Sequence, residues 1–468
     1  MSDGADGAVR DPRRLVPWLA YLIFFSVLNE TVFNVSTPTI AKEFSLSPSG
    51  VSWMMTIFMV LFGIGSVIFG KLSDLYALKK LILVGILLYN AGSLIGFIFQ
   101  SSYPLVILSR GVQGIGASAI PALIFTAAAR YFPMEERGKV FGSLTSTVSL
   151  AVGLGPVIGG FVSQSMNWAD LFLIPLLVLV SIPFFNKVLP EEPRREGGVD
   201  LPGAVLLALM VGALVLGLNL GPWYYYAAFA FFTVAFLARI RTATDPFVPP
   251  DLFTNTRFRD GVGVGLLLFS VVLGVLFLVP LMLHEVHGLG TRAIGMVLFP
   301  GAISSVFCGP YAGNLADRKG NPFVLALGLS FLAAGIIVMG FWLRISFYVV
   351  GACLLLVYVG FSLFQTALMN SVSQTLPEKE TGIGMGVFNL VAVISGALGT
   401  AVVGKILGGK WLENLAPPFL NQGAGLAYSD ILLIFSVIVF LGGALYLRSY
   451  GEKRLAAASL NLGEGSGD

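Results

Sequence analysis

The sequence predicts an all-α membrane protein, two six-helix bundles with two additional central helices between them, and three observations carry that expectation. Of 468 residues, 56% are hydrophobic and 11% charged, and the mean hydropathy of +0.87 lies outside the range of water-soluble domains. Apolar runs long enough to cross a bilayer core of about 30 Å as helices recur along the whole chain. A GxLxD pattern also appears twice, as GKLSD at 70–74 and GNLAD at 313–317, at equivalent points of two six-span halves.

In chain order, the first six spans are expected at 15–40, 51–69, 81–99, 105–129, 140–163 and 171–189. The run EEPRREGGVD then interrupts the apolar pattern and reads as an exposed connector. Two spans follow at 201–220 and 223–237, then a polar stretch, then six more at 261–283, 294–312, 322–342, 347–372, 382–407 and 431–447, fourteen in all. The implied organisation is a first bundle at 1–190, a linker carrying the two extra helices at 191–260, a second bundle at 261–450 and a cytoplasmic tail at 451–468.

Charge placement orients these spans. Of 28 Lys and Arg residues, 22 fall in segments predicted to lie inside, 5 outside, and Arg110 alone falls within a span. That bias predicts a multi-pass protein of the cell (plasma) membrane with both termini cytoplasmic. Trp18, Trp53, Trp168, Trp223, Trp342 and Trp411 all fall at predicted span ends, where an amphipathic ring prefers the interface. A net charge of +3 is too small to imply a nucleic-acid partner. Cys308 and Cys353 both sit in apolar runs, which disfavours a disulfide framework or a thiolate metal site. The first run is far longer than the core of a signal peptide and has no small-residue cleavage site, so no cleavable signal is expected.

Polar residues inside spans are the candidate functional groups. Glu30, in LNETVFNVSTP, sits at membrane depth, where insertion of an acid costs roughly 2.5 to 3.5 kcal/mol, so function is the default reading and a structural acid the alternative. Arg110 keeps its charge there and needs an acid, a carbonyl or water. Glu30 is the natural partner, because helical rise places both roughly 9 to 13 Å below the outer surface. Burial favours the neutral acid and Arg110 favours the carboxylate, which suits a proton-coupling group. Asn29, Asn34, Gln113, Gln365, Asn370 and Asn389 are candidate lining for a substrate cavity, although interhelical hydrogen bonding would explain them as well.

His284, Glu285 and His287 suit no single helix face, and no metal site is expected. There is no HExxH, GxSxG or GxxxxGK[ST] pattern, so an enzyme or an ATP-driven pump lacks its chemistry.

Backbone motifs supply the candidate gating residues. Gly70 and Asp74 in the first GxLxD, and Asp317 with Arg318 in the second, place an aspartate just past a span end. There it can accept hydrogen bonds from a neighbouring helix N-terminus and pair with nearby bases as a latch. Ala151, Gly155 and Gly159 share one helix face on which another backbone can approach closely, and Pro156 removes a helical hydrogen bond. Close packing alone would account for the small residues.

These stretches resemble the major facilitator superfamily, in particular its fourteen-span drug:proton antiporters, over nearly the whole chain. GKLSDLYALKK resembles the family's loop 2/3 signature, with Leu75 and Ala77 departing from it; SRGVQGIGAS resembles its fourth-span signature, and AVGLGPVIGG the antiporter signature of its fifth. FFSVLNETVFNVSTPTIAKEF, ARYFPMEERGKVFG and TDPFVPPDLF are similar to Gram-positive tetracycline efflux proteins.

The resemblance implies a bacterial alternating-access antiporter, functional as a monomer, that uses the proton gradient and no cofactor to export amphiphilic cationic drugs. It assigns proton coupling to Arg110 and helix rocking to the fifth span. Sodium or potassium exchange for protons, and export of an endogenous metabolite or lipid, are the alternatives. Val152 and Gly396 stand where tetracycline proteins carry acids, so the mechanism transfers better than the substrate.

Overall fold

The computed structural model describes residues 12–46, 48–192, 198, 200–408 and 425–451. Among these, fourteen helices are long and apolar enough to cross a membrane. They are α1 (Leu15–Val32), α2 (Pro48–Leu75), α3 (Leu78–Ile98), α4 (Tyr103–Tyr131), α5 (Met134–Ser165) and α6 (Trp168–Val188). Next come α7 (Leu201–Leu220) and α8 (Trp223–Thr242). The last six are α9 (Thr256–His287), α10 (Thr291–Lys319), α11 (Asn321–Trp342), α12 (Phe347–Ser373), α13 (Thr381–Gly408) and α14 (Gly425–Tyr450).

Most helices run past the apolar stretch that announced them, and the first stops short of it. α1 ends at Val32, a 3-10 turn covers Phe33–Ser36, and a short helix resumes at Thr37–Glu43. Proline in the first turn of that short helix brings no N–H and disfavours a continuous helix through the residue before it. The expected long first span is therefore two pieces, and the break falls three residues after Glu30.

In the first half, α4 packs on α2 and α3, and α1 on α5 and α6; in the second, α12 packs on α10 and α11, and α9 on α13 and α14. The halves meet where α5 lies along α10 and α2 along α13. α7 and α8 form a hairpin, of which α7 lies against both α2 and α13. Asp200 secures the hairpin. It accepts from the Gly203 N–H at the start of α7 and from Nε and Nη2 of Arg239 near the end of α8, at 3.2, 3.0 and 2.8 Å. Burial works against its charged form, yet these bonds outweigh it and hold the carboxyl below the usual carboxylate range.

Trp168 opens α6, at the span end expected of it, and packs into the protein. It is 2% exposed and donates its indole N–H to Glu43 at 2.5 Å, because the polar break after α1 brings an acid over the start of α6.

Candidate functional site

The deep polar group of the first half is built by α1, α3 and α4. Arg110 is fully buried, and Nη1 donates to Gln113 Oε1 at 2.9 Å, one turn along the same helix. Gln113 donates in turn to Ser93 Oγ at 2.7 Å, and Ser93 to the Tyr89 carbonyl at 2.9 Å. The guanidinium lies between two aromatic faces, 4.4 Å from the Phe33 ring centre and 4.1 Å from that of Phe58. A planar, weakly hydrated cation gains from such stacking, which an ammonium would use less well. Phe33 belongs to the 3-10 break, so the interruption of α1 supplies one half of the sandwich.

The expected contact pair does not form: among the described residues no ion pair joins Arg110 to Glu30. Gln113 and the two rings occupy Arg110 instead. Glu30 remains partly accessible within the span and feels the Arg110 charge through space. Among the described residues Arg110 Nε and Nη2 have no hydrogen-bond partner, and neither amide atom of the fully buried Asn29 has one. Such orphan groups are rare in membrane interiors and mark surfaces that receive polar guests.

Gln365 Oε1 on α12 and Asn389 Nδ2 on α13 are likewise buried and unpartnered. Asn370 is engaged elsewhere, donating to Asn321 Oδ1 at 2.9 Å near the end of α12. The side chains of Asn34 and Pro156 lie outside the described set.

Gly155 and Gly159 explain how α1 is held. A Cβ on Gly155 would stand 1.8 Å from Thr31 Oγ1, and one on Gly159 would stand 2.1 Å from the Val32 carbonyl. The small face of α5 thus seats α1 directly beside Glu30, inside the first half. Gly70, which sequence reading singled out, and other glycines, which it did not, bring the two halves together. A Cβ on Gly142 would meet the Gly309 carbonyl at 2.1 Å, and one on Gly313 the Gly138 carbonyl at 2.1 Å. Across the second seam, one on Gly70 would meet the Gly382 carbonyl at 2.5 Å. Their signal was present as glycine pairs four residues apart at 138/142, 309/313 and 382/386. Thr145 and Thr366 also join the halves, Oγ1 to Oγ1 at 2.7 Å, with no motif to announce them.

Two carboxylates latch these seams. Asp74 Oδ1 accepts from the Gly382 N–H and Oδ2 from the Ile383 N–H, both at 2.8 Å, in the first turn of α13. Asp317 Oδ1 accepts from the Gly138 N–H at 3.1 Å and Oδ2 from the Lys139 N–H at 3.0 Å, in the second turn of α5. Asp74 therefore binds the positive end of a helix in the opposite half, and Asp317 the turn that follows such an end.

The bases that follow each motif are not the partners expected of them. Lys79 reaches Glu191 at 3.5 Å, Lys319 lies over the Phe323 ring, and Arg318 is not ion-paired to Asp317. Asp74 instead has Arg130, from α4, at 3.7 Å. The close approaches between halves begin at this basic face and continue along α5 and α10 to Gly153, where a Cβ would meet that of Ala302 at 2.0 Å. Farther along α13, Gly396 and Gly399 turn to Leu273 and Ser270 of their own half.

The histidine group has settled structural partners. His284 Nδ1 is 3.1 Å from the Leu289 carbonyl, His287 Nε2 is 2.7 Å from that of Leu343, and Glu285 accepts from Tyr428 at 2.6 Å. Cys308 and Cys353 are free.

Comparison with known proteins accords with this geometry. The Major Facilitator Superfamily profile matches residues 19–400. The riboflavin transporter RibZ of Clostridioides difficile (strain 630) is 27% identical over 388 residues, 81% of this chain and 84% of RibZ. The multidrug resistance protein Stp of Mycobacterium tuberculosis (strain CDC 1551 / Oshkosh) is 24% identical over 412 residues, 86% of this chain and 76% of Stp.

Among solved structures, the human organic anion transporter MFSD10 superposes with a TM-score of 0.70 at 16% identity, covering 93% of this chain and 99% of that one. The proton:xylose symporter XylE superposes at 0.65 with 13% identity, covering 94% and 97%. At those identities the likeness is one of fold. The chain belongs to the major facilitator superfamily of membrane transporters.

Proposed function

We propose that this chain is a proton-coupled antiporter that exports amphiphilic, singly charged cations across a bacterial plasma membrane by alternating access. The carrying observation is the set of buried polar groups without a hydrogen-bond partner among the described residues, Asn29 and Arg110 in the first half and Gln365 and Asn389 in the second. Glu30 is the proton-coupling residue of this reading. A carboxylate at that depth holds a proton or a cationic guest but not both, so protonation from outside releases cargo and loss of the proton inside readmits it. Arg110, fixed by Gln113 and the two rings, sets the field that favours the ionised state.

With both termini cytoplasmic, as the Lys and Arg bias supports, the two latches hold the halves together on the cytoplasmic side. Gly70, Asp74, Asp317 and the seam glycines are then gating residues. The proton gradient supplies the energy, no cofactor takes part, and a monomer suffices.

Drug export is supported by the relative named as a multidrug resistance protein. A planar metabolite such as riboflavin is the second reading, favoured by the name of RibZ. With Val152 and Gly396 in place of acids, magnesium-chelated tetracycline meets too little compensating charge, so lipophilic monocations are the better cargo.

Proteoliposomes under an imposed pH gradient test this. Glu30→Gln is expected to lose uphill efflux of a lipophilic monocation more than tenfold while retaining exchange down a gradient. A Glu30→Gln protein that concentrates cargo at the wild-type rate ends the proposal. Riboflavin movement that displaces no protons would favour the second reading.

A further inference from the structure

The second half contains a cavity of about 360 Å³ at the basic face, whose lining includes neither Glu30 nor Arg110 nor a latch aspartate. It is lined by Asn255 and Arg257 at the start of α9, Asn321 at the start of α11, Gln374 just past α12, and Tyr446 and Tyr450 at the end of α14. Its framework is already satisfied. Asn255 donates to the Thr375 carbonyl at 2.9 Å, Ser371 and Tyr446 share a hydrogen bond of 2.7 Å, and Asn370 holds Asn321. Tyr450 donates to the Arg257 carbonyl at 2.5 Å, which fixes the backbone that carries the guanidinium. The guanidinium itself has no hydrogen-bond or ion-pair partner among the described residues. Asp260, three residues along α9, is engaged by Ser449 and lies 3.6 Å from Arg259.

The equivalent corner of the first half shows what such a place accepts. There Arg130 at the end of α4 pairs with Glu192 at 3.2 Å, Tyr131 donates to the same carboxylate at 2.6 Å, and Lys79 meets Glu191 at 3.5 Å. Cation and tyrosine hydroxyl converge on an anion from the same chain. In the second half the cation, tyrosine hydroxyls and carboxamides converge on an open cavity, with the N-termini of α9 and α11 adding positive potential.

We propose that this cavity binds a phosphate group at the Arg257 guanidinium, from an anionic lipid headgroup or from free phosphate. A guanidinium suits phosphate because its fork matches two phosphate oxygens, and basic pockets between spanning helices take lipid headgroups in this way. Occupancy ties α9, α11, α12 and α14 together and stabilises the folded protein by mass action.

The test is thermal unfolding of the full-length protein in detergent, with added phosphatidylglycerol, phosphatidylcholine or inorganic phosphate. Phosphatidylglycerol is expected to raise Tm by several degrees and phosphatidylcholine not to. Arg257→Gln removes most of the rise, Arg257→Lys keeps part of it, and Arg259→Gln, outside the cavity, keeps all of it. A rise from inorganic phosphate that also depends on Arg257 supports the same site with free phosphate as its ligand. Equal rises in wild type and Arg257→Gln, or equal rises from both lipids, overturn the proposal, and neither result bears on Glu30.

Discussion

The two latches make the same hydrogen bonds in different surroundings. Asp74 is 7% exposed and has Arg130 beside it, a base itself tied to the Ser73 carbonyl at 3.1 Å and to Glu192. Asp317 is solvent-exposed, and no described ion pair supports it. A repeated motif thus sets the geometry of a cap, while burial sets its strength. Exposed charge is screened, whereas a buried carboxylate that loses its bonds leaves donors and a cation unsatisfied.

The largest effect is expected at the buried latch. Asp74→Ala removes two charge-assisted bonds and leaves Arg130 short of a partner, at a cost of about 3 kcal/mol to the closed basic face. That shifts the balance between facing states about a hundredfold. Thiol labelling of a single cysteine on the basic face, in a protein lacking Cys308 and Cys353, should accelerate accordingly. Unchanged labelling would mean that the glycine seams hold this face shut unaided.

Those seams come next. Gly142→Val drives a side chain into the Gly309 carbonyl, backbone that has no flexible end to move, and should part the halves at a cost of about 1 to 3 kcal/mol. Gly396→Ala meets only the tip of Leu273 at 3.1 Å and should leave labelling and Tm near wild type.

Asp200 is a third carboxylate that accepts from a helix N–H, but within one hairpin. Asp200→Ala should lower stability by about 1 to 2 kcal/mol without changing the facing state. Its folded pKa is depressed, so its contribution is full above the ordinary carboxylate value of about 3.9 and is lost as pH falls through the lower folded value. A hairpin already weakened between pH 7 and 5 would contradict this sign.

The smallest effect belongs to the exposed latch. Asp317→Ala should cost about 1 kcal/mol or less, and Arg318→Gln nothing measurable. An Asp317→Ala protein as open as Asp74→Ala would show that the two seams, not their burial, share the load equally.

Hydropathy alone was sufficient for the fourteen spans, because a bilayer demands an apolar run of fixed length for each crossing. The latch aspartates were legible for a similar reason: a GxLxD at a helix end has few uses other than capping another helix. Their partners were not. Arg130 lies 56 residues from Asp74 in sequence, and the bases next to each aspartate looked better placed. Glu30 and Arg110 meet through space and not in contact, since depth along two helices says nothing of the rotation that turned Arg110 to Gln113 and set it between Phe33 and Phe58.

By itself, then, the sequence determined that this chain crosses a membrane fourteen times, repeats a capping motif in each half and carries an acid and an arginine at depth. Those follow from solvation free energies that act residue by residue. Which glycine faces which helix, which base serves which acid, and where polar atoms are left unpartnered depended on helix rotation and interhelical approach. Only packing in three dimensions sets these, because many rotations satisfy the same hydropathy and few satisfy the same contacts.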